Sequence, residues 1–180
     1  MSQVAAEPAA GVRARRSALE SKRSATGVGG KFLTFYLRGE EYGLEILKVR
    51  EIIKIMDITA VPQVPPYVKG VINLRGKVIP VVDLRLKFGF AEQDYTERTS
   101  IIVVEVNLAG GKVLMGVVVD AVSEVLSISA DEVEETPSFG QDVCTDYMSG
   151  MAKVKGRVKI LLDLDKVFAV DGVVAMPQAV

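Results

Sequence analysis

The side chains that most often perform chemistry in proteins are thinly supplied in this sequence, which holds no histidine and one cysteine, Cys144. Histidine is the commonest general base near neutral pH and the commonest transition-metal ligand, so its absence excludes Ser-His and Cys-His nucleophile pairs and ordinary zinc sites. A single cysteine also excludes an internal disulfide framework. Cys144 reads as a small, semi-buried residue, because no activating base accompanies it. Carboxylates and basic side chains remain. Asp83 and Asp163 resemble a pair of acids, but each precedes a short helical turn whose N–H groups need an acceptor, and both read as helix caps. Glu51 and Glu124 also recur, which suits an exposed or paired structural role as well as a binding one. Arg75 stands at a hairpin tip, where its planar donor fork suits a carboxylate or amide on another chain and equally an ordinary solvated turn. Phe139, just beyond Pro137 in an irregular stretch, either tucks under its own loop or meets a partner. The acidic run Asp131–Glu135 reads as a solvated face. These residue types favour binding over turnover.

The elements that hold them are built on one plan used twice. Gly70-Val-Ile-Asn-Leu-Arg-Gly-Lys-Val-Ile-Pro-Val-Val-Asp-Leu84 predicts a strand, a tight reversal at Arg75-Gly76, a second strand and a capped helical turn ending at Gly89. Gly150 to Leu164 repeats it, with Gly156 at the turn and Asp163 at the cap. Upstream, the segments opening at Gly43 and Gly116 share Gly-x5-Val-x-Glu-aliphatic, and Phe32–Leu37 and Ile101–Val106 are matching apolar runs. Gly43, Gly116, Gly70, Gly150, Gly76 and Gly156 are taken as shared turn positions and Asp83 and Asp163 as shared caps. Self-similarity of this kind predicts a mostly β protein of two small packed barrels. Residues 46–54 fit helical spacing at Ile46, Val49 and Ile53, but β-branched density favours a strand. Val61–Pro66 carries three prolines and is an extended connector. Pro80, inside a strand, implies an edge or a bulge there.

At 180 residues the chain can bury a sizeable core. A net charge of −1 and a pI near 5.6 argue against nucleic-acid binding. Residues 1–30 are rich in Ala, Ser, Gly and Arg and read as a basic, mobile tail; residues 31–98 and 99–170 form the two barrel-forming halves, divided in the polar stretch Ala91–Arg98, and 171–180 fray. Strand exchange between the halves is left open. No apolar run is long enough to span a bilayer and the N-terminus lacks a secretory apolar core, so the expected location is cytoplasmic.

Glu41-Tyr-Gly-Leu-Glu-Ile-Leu-Lys-Val-Arg-Glu51 and Lys69-Gly-Val-Ile-Asn-Leu-Arg-Gly-Lys-Val-Ile-Pro-Val-Val-Asp-Leu-Arg85 resemble the CheW family, the coupling proteins of bacterial chemotaxis. The resemblance runs from about Phe32 to Val170. It implies two SH3-like five-stranded barrels around a shared core, and a non-enzymatic scaffold without metal or cofactor. It further implies two partners, the regulatory domain of a CheA-type histidine kinase and the cytoplasmic tip of methyl-accepting chemoreceptors, with the protein held at the inner face of the membrane through receptor arrays. No direct membrane insertion and no nucleic acid are implied. By resemblance, Val49, Glu51, Lys69 and Arg75 are receptor-side candidates, joined by Val122 and Val125 near the groove between the barrels. Glu134 and Phe139 are the kinase-side candidates.

Overall fold

The computed structural model describes residues 29–137 and 147–169. The N-terminal tail up to residue 28, Phe139, Cys144 and the C-terminal 171–180 lie outside the described residues. Eleven strands among the described residues form two sheets. One has the order β8 (Ala121–Ile128), β1 (Gly30–Leu37), β2 (Glu40–Glu45), β11 (Arg157–Leu162), β10 (Met148–Val154), β9 (Val133–Glu134). The other has the order β3 (Val49–Lys54), β6 (Ser100–Leu108), β7 (Gly111–Val119), β5 (Lys77–Asp83), β4 (Val68–Leu74). Two short helices, α1 (Leu84–Lys87) and α2 (Leu164–Ala169), follow β5 and β11. The fold is mostly β with two curled sheets, as expected, and the first-named sheet carries six strands because the two-residue β9 adds to β10.

Sheet membership does not follow the halves of the sequence. The described chain passes between the sheets twice, through the 3-10 turn Ile46–Lys48 and through the single residue Asp120. One residue is too short a link for an antiparallel hairpin, which needs about two, so β8 must leave β7 and pair elsewhere. It takes β1 as its neighbour. The hairpin opening each repeat therefore stands in the barrel built from the rest of the other. The division near residues 91–98 is corrected accordingly: it separates two repeats, not two barrels.

Hydrophobic burial follows the same plan. Ile72, Ile79, Val81, Ile101, Val103 and Val118 fill the five-stranded barrel, and Phe32, Ile128, Ala152 and Leu161 fill the six-stranded one. The largest cluster lies between them and draws on both sheets, including Phe35, Leu44, Val82, Val104, Val117 and Phe168. Phe35, Tyr42, Phe88 and Tyr147 stack in a row through it, with centroids 6.0, 6.1 and 5.2 Å apart. At about 25 cal/mol per Å² of apolar surface removed from water, this shared layer is the main force joining the barrels.

The glycines divide into two kinds. At the hairpin tips Arg38-Gly39, Arg75-Gly76 and Lys155-Gly156, both residues of each pair have positive φ, the mirror-image turn that suits twisted strands. Gly76 and Gly156 are therefore turns, as expected. Gly43, Gly116, Gly70 and Gly150 are not turns but strand residues. Each sheet contains one parallel pairing, which joins the exchanged hairpin to its host, β2 with β11 at Gly43 opposite Leu161, and β5 with β7 at Val81 opposite Gly116. A Cβ on Gly43 would stand 2.8 Å from Leu161 Cδ2, and one on Gly116 would stand 2.9 Å from Ile101 Cγ2. Gly70 and Gly150 lie at bulges in β4 and β10. A Cβ on Gly70 would meet the Thr59 carbonyl oxygen at 2.0 Å. Pro80 lies one residue before β5 gains β7 as a second neighbour, and the N–H of its β4 partner Val71 turns away to Thr59, so its missing donor removes no rung.

Candidate functional site

Glu51 and Arg75 come together. β3 and β4 are the two ends of the five-stranded sheet, and the turn after β4 carries Arg75 back to β3. Its Nη1 and Nη2 donate to the two carboxylate oxygens of Glu51 at 2.9 and 2.7 Å. The pair thus spans the seam of the barrel. Asn73 supports the tip by accepting the Gly76 N–H at 2.9 Å. The Arg75 side chain is 76% exposed and that of Glu51 27% exposed, so the fork keeps outward-facing donors. The second repeat has no such pair: among the described residues, its counterparts Glu124 and Lys155 form no ion pair. Glu124 instead uses its backbone, exchanging hydrogen bonds of 2.8 and 3.2 Å with the buried Thr34 hydroxyl across a bulge.

The remaining candidates are spread over the surface. Lys69, on β4, is paired with Glu92 of the connector between the repeats. Burial, the largest single effect, works to lower the Lys69 ammonium, but the hydrogen bond to Glu92 together with the charges of Tyr95, Glu92 and Asp83 holds it above the ordinary lysine value. Val49 on β3 and Val122 on β8 are partly buried against the shared core from the two sheets, and Val125 lies 50% exposed farther along β8. Glu134 on β9 forms an exposed pair with Lys153 at 3.2 Å.

Asp83 and Asp163 cap α1 and α2 as expected, accepting from Arg85 N at 2.9 Å and Lys166 N at 3.3 Å. Each also donates its own N–H to a tyrosine carbonyl, Tyr67 or Tyr147. Asp83 has a further task that the sequence reading missed. It is fully buried and accepts from Nε and Nη2 of the buried Arg85 at 3.1 and 2.9 Å, while Arg85 Nη1 reaches Asp120 at 3.0 Å. Hydrogen bonding to Asp83 raises the Arg85 guanidinium above its usual value. A charge placed inside the apolar run Val117-Val-Val-Asp-Ala-Val122 was the available signal for Asp120. Two clefts border the sheet crossovers. One of about 480 Å³ includes Arg85, Asp120, Tyr36 and Thr99, and one of about 250 Å³ includes Lys48, Asp163 and Asp165. Arg85 and Asp120 are tied to each other in the first cleft, and Lys48 and Asp165 in the second.

Comparison with known proteins bears on the whole described fold. The profile of the CheW-like domain matches residues 31–171. The chain belongs to the CheW-like domain family. Chemotaxis protein CheW of Klebsiella aerogenes is 40% identical over 149 residues, covering 83% of this chain and 87% of that protein. Chemotaxis protein CheW of Bacillus subtilis is 33% identical over 139 residues, covering 77% of this chain and 86% of its own length. Among solved structures, the scaffolding protein TtCheW from Thermoanaerobacter tengcongensis superposes with a TM-score of 0.69 at 37% identity, over 81% of this chain and 96% of that one. The CheW-like segment thus takes in both barrels and both exchanged hairpins.

Proposed function

We propose that this chain is a coupling adaptor of bacterial chemotaxis, which joins a CheA-type histidine kinase to the cytoplasmic tips of methyl-accepting chemoreceptors and performs no catalysis of its own. Family membership supports the general role. The observation that carries the receptor side is the Glu51–Arg75 pair, an exposed, two-pronged ion pair present on one barrel and missing from its repeat. A shared framework needs the same residues in both copies; a binding surface needs them in one. Val49 and Val122 supply apolar surface along the shared core, where the apolar face of a receptor helix fits, with Glu51, Arg75 and Lys69 as the polar rim and Val125 beyond. Glu134 and the stretch leading to Phe139 form the kinase side. The protein then works at the inner face of the membrane through its partners, since no helix among the described residues is long and apolar enough to cross it. Each contact is modest alone, and an array gains avidity by engaging several at once.

The experiment is a binding measurement against two separate partners, a receptor-tip fragment and the CheA regulatory domain. Arg75→Glu weakens the first and leaves the second intact. Equal receptor binding by wild type and Arg75→Glu removes the seam from the receptor surface, and failure of both partners to bind wild type removes the coupling role.

A further inference from the structure

The two crossovers between the sheets are each held by an aspartate, and the two ties are quasi-equivalent with reversed polarity. At the first, Asp120 is itself the crossover residue. Its Oδ1 accepts from Arg85 of α1 at 3.0 Å and its Oδ2 accepts the Arg38 N–H of the β1–β2 turn at 2.7 Å. At the second, the crossover supplies the cation, Lys48, and the aspartate comes from α2. Asp165 Oδ2 accepts from Lys48 Nζ at 3.0 Å and Oδ1 accepts the Asn107 N–H, near the β6–β7 turn, at 2.8 Å. Arg85 and Asp165 occupy the same place in the repeat, two residues after the capping aspartate. In both ties one carboxylate binds a cation with one oxygen and a hairpin amide with the other. Each links the opening hairpin of a repeat, seated in one barrel, to the helix that closes the same repeat after its last strand, in the other barrel.

The ties differ in burial. The Arg85 side chain is 2% exposed and Asp120 24%, whereas Lys48 and Asp165 are both 29% exposed. Arg85 is also locked by Asp83, while Lys48 has the flexible stem of a lysine. Water and salt therefore weaken the second tie far more than the first. A cleft borders each crossover, so the polar ties act there alongside the apolar layer that joins the barrels.

We propose that these are joints of unequal stiffness, the barrels turning about Arg85–Asp120 and parting first at Lys48–Asp165. The inference rests on this geometry and stands apart from the coupling role. Each joint contains its own reporter, the Arg38 amide for the stiff one and the Asn107 amide for the yielding one. Amide exchange of the full chain, followed by NMR at low and high salt, reads both. Added salt should speed exchange at Asn107 by roughly two- to fivefold and leave Arg38 unchanged. Asp165→Ala should do the same at low salt. It should also broaden the distance distribution between spin labels on Lys31→Cys and Lys77→Cys in a Cys144→Ser background. Asp165→Asn, which keeps an acceptor for the Asn107 amide without the charge, should retain most of the protection and lose the salt dependence. The proposal is overturned if Asn107 ignores both salt and Asp165→Ala, if Arg38 exchange rises in step with it, or if the label distribution is unchanged.

Discussion

Arg75 grips Glu51 with both prongs of its guanidinium across the line where the first and last strands of the five-stranded barrel meet. An exposed pair of this kind contributes about 0.5 kcal/mol to stability. Arg75→Glu should therefore leave the denaturation midpoint nearly unmoved while weakening receptor-fragment binding about tenfold or more. The exchange Glu51→Arg with Arg75→Glu restores an ion pair across the seam with the charges reversed. It should not restore binding, because the outward donors then stand on the wrong strand. Calorimetric titration of wild type and the two variants checks the binding, and full recovery by the exchanged pair would mean that the partner reads only the closed seam.

Two glycines with positive φ separate strain from crowding. Gly76, at φ 84, has open space where a Cβ would stand, whereas Gly70, at φ 139, has the Thr59 carbonyl oxygen 2.0 Å away. Gly76→Ala should cost about 1 kcal/mol, the usual cost of a left-handed residue with a side chain. Gly70→Ala must displace backbone and should cost more than about 3 kcal/mol. Urea denaturation of the two variants measures the difference, and near-equal midpoints would refute it.

Acid should weaken the parallel pairing that joins the exchanged hairpin to the six-stranded barrel. Lys159 donates to Glu41 beside the parallel pairing of β2 and β11. That hydrogen bond, against the opposing effect of burial, holds the Glu41 carboxyl below its ordinary value of 4.5. A folded-state value lower than the unfolded one means that the stabilisation is complete above the ordinary value and is lost as pH falls through the depressed one. The stability difference between wild type and Glu41→Gln should thus be flat near neutrality and shrink in acid below the ordinary value. Denaturant titrations at a series of pH values follow it, and a difference that grows on acidification would reverse the sign.

The capping aspartates offer an internal control. Both accept from helix N–H groups, but only Asp83 also neutralises a buried arginine. Asparagine caps a helix about as well as aspartate, so Asp163→Asn should shift stability by less than about 0.5 kcal/mol. Asp83→Asn leaves the buried Arg85 with Asp120 as its remaining counter-ion and should cost about 2 kcal/mol. Thermal unfolding of the pair separates a cap from a cap that also holds a charge.

The repeat, the β content, the hairpin tips and both caps were legible in the sequence because turn and cap chemistry acts within a few residues. Arg75-Gly76 announces its own reversal, and Asp83 and Asp163 announce their helices. Gly43 and Gly116 were misread as turns for the opposite reason. What they avoid is Leu161 and Ile101, and spacing along the chain does not show which strand will lie across from a glycine. The Glu51–Arg75 pair was half visible: both residues stood out, but their meeting depends on β3 and β4 closing a barrel. The Arg85–Asp120 tie was not legible, since an arginine in a short helical turn looks like an ordinary surface residue until its burial is seen.

Because each repeat lends its opening hairpin to its sibling, the unit that was duplicated is not the unit that can exist alone. A polypeptide ending near residue 98 would hold β1 and β2 without the strands that flank them, and β3 without its neighbour β6. Produced as two fragments cut in the polar connector, the halves should each be unstructured and should recover the native fold by complementation when mixed.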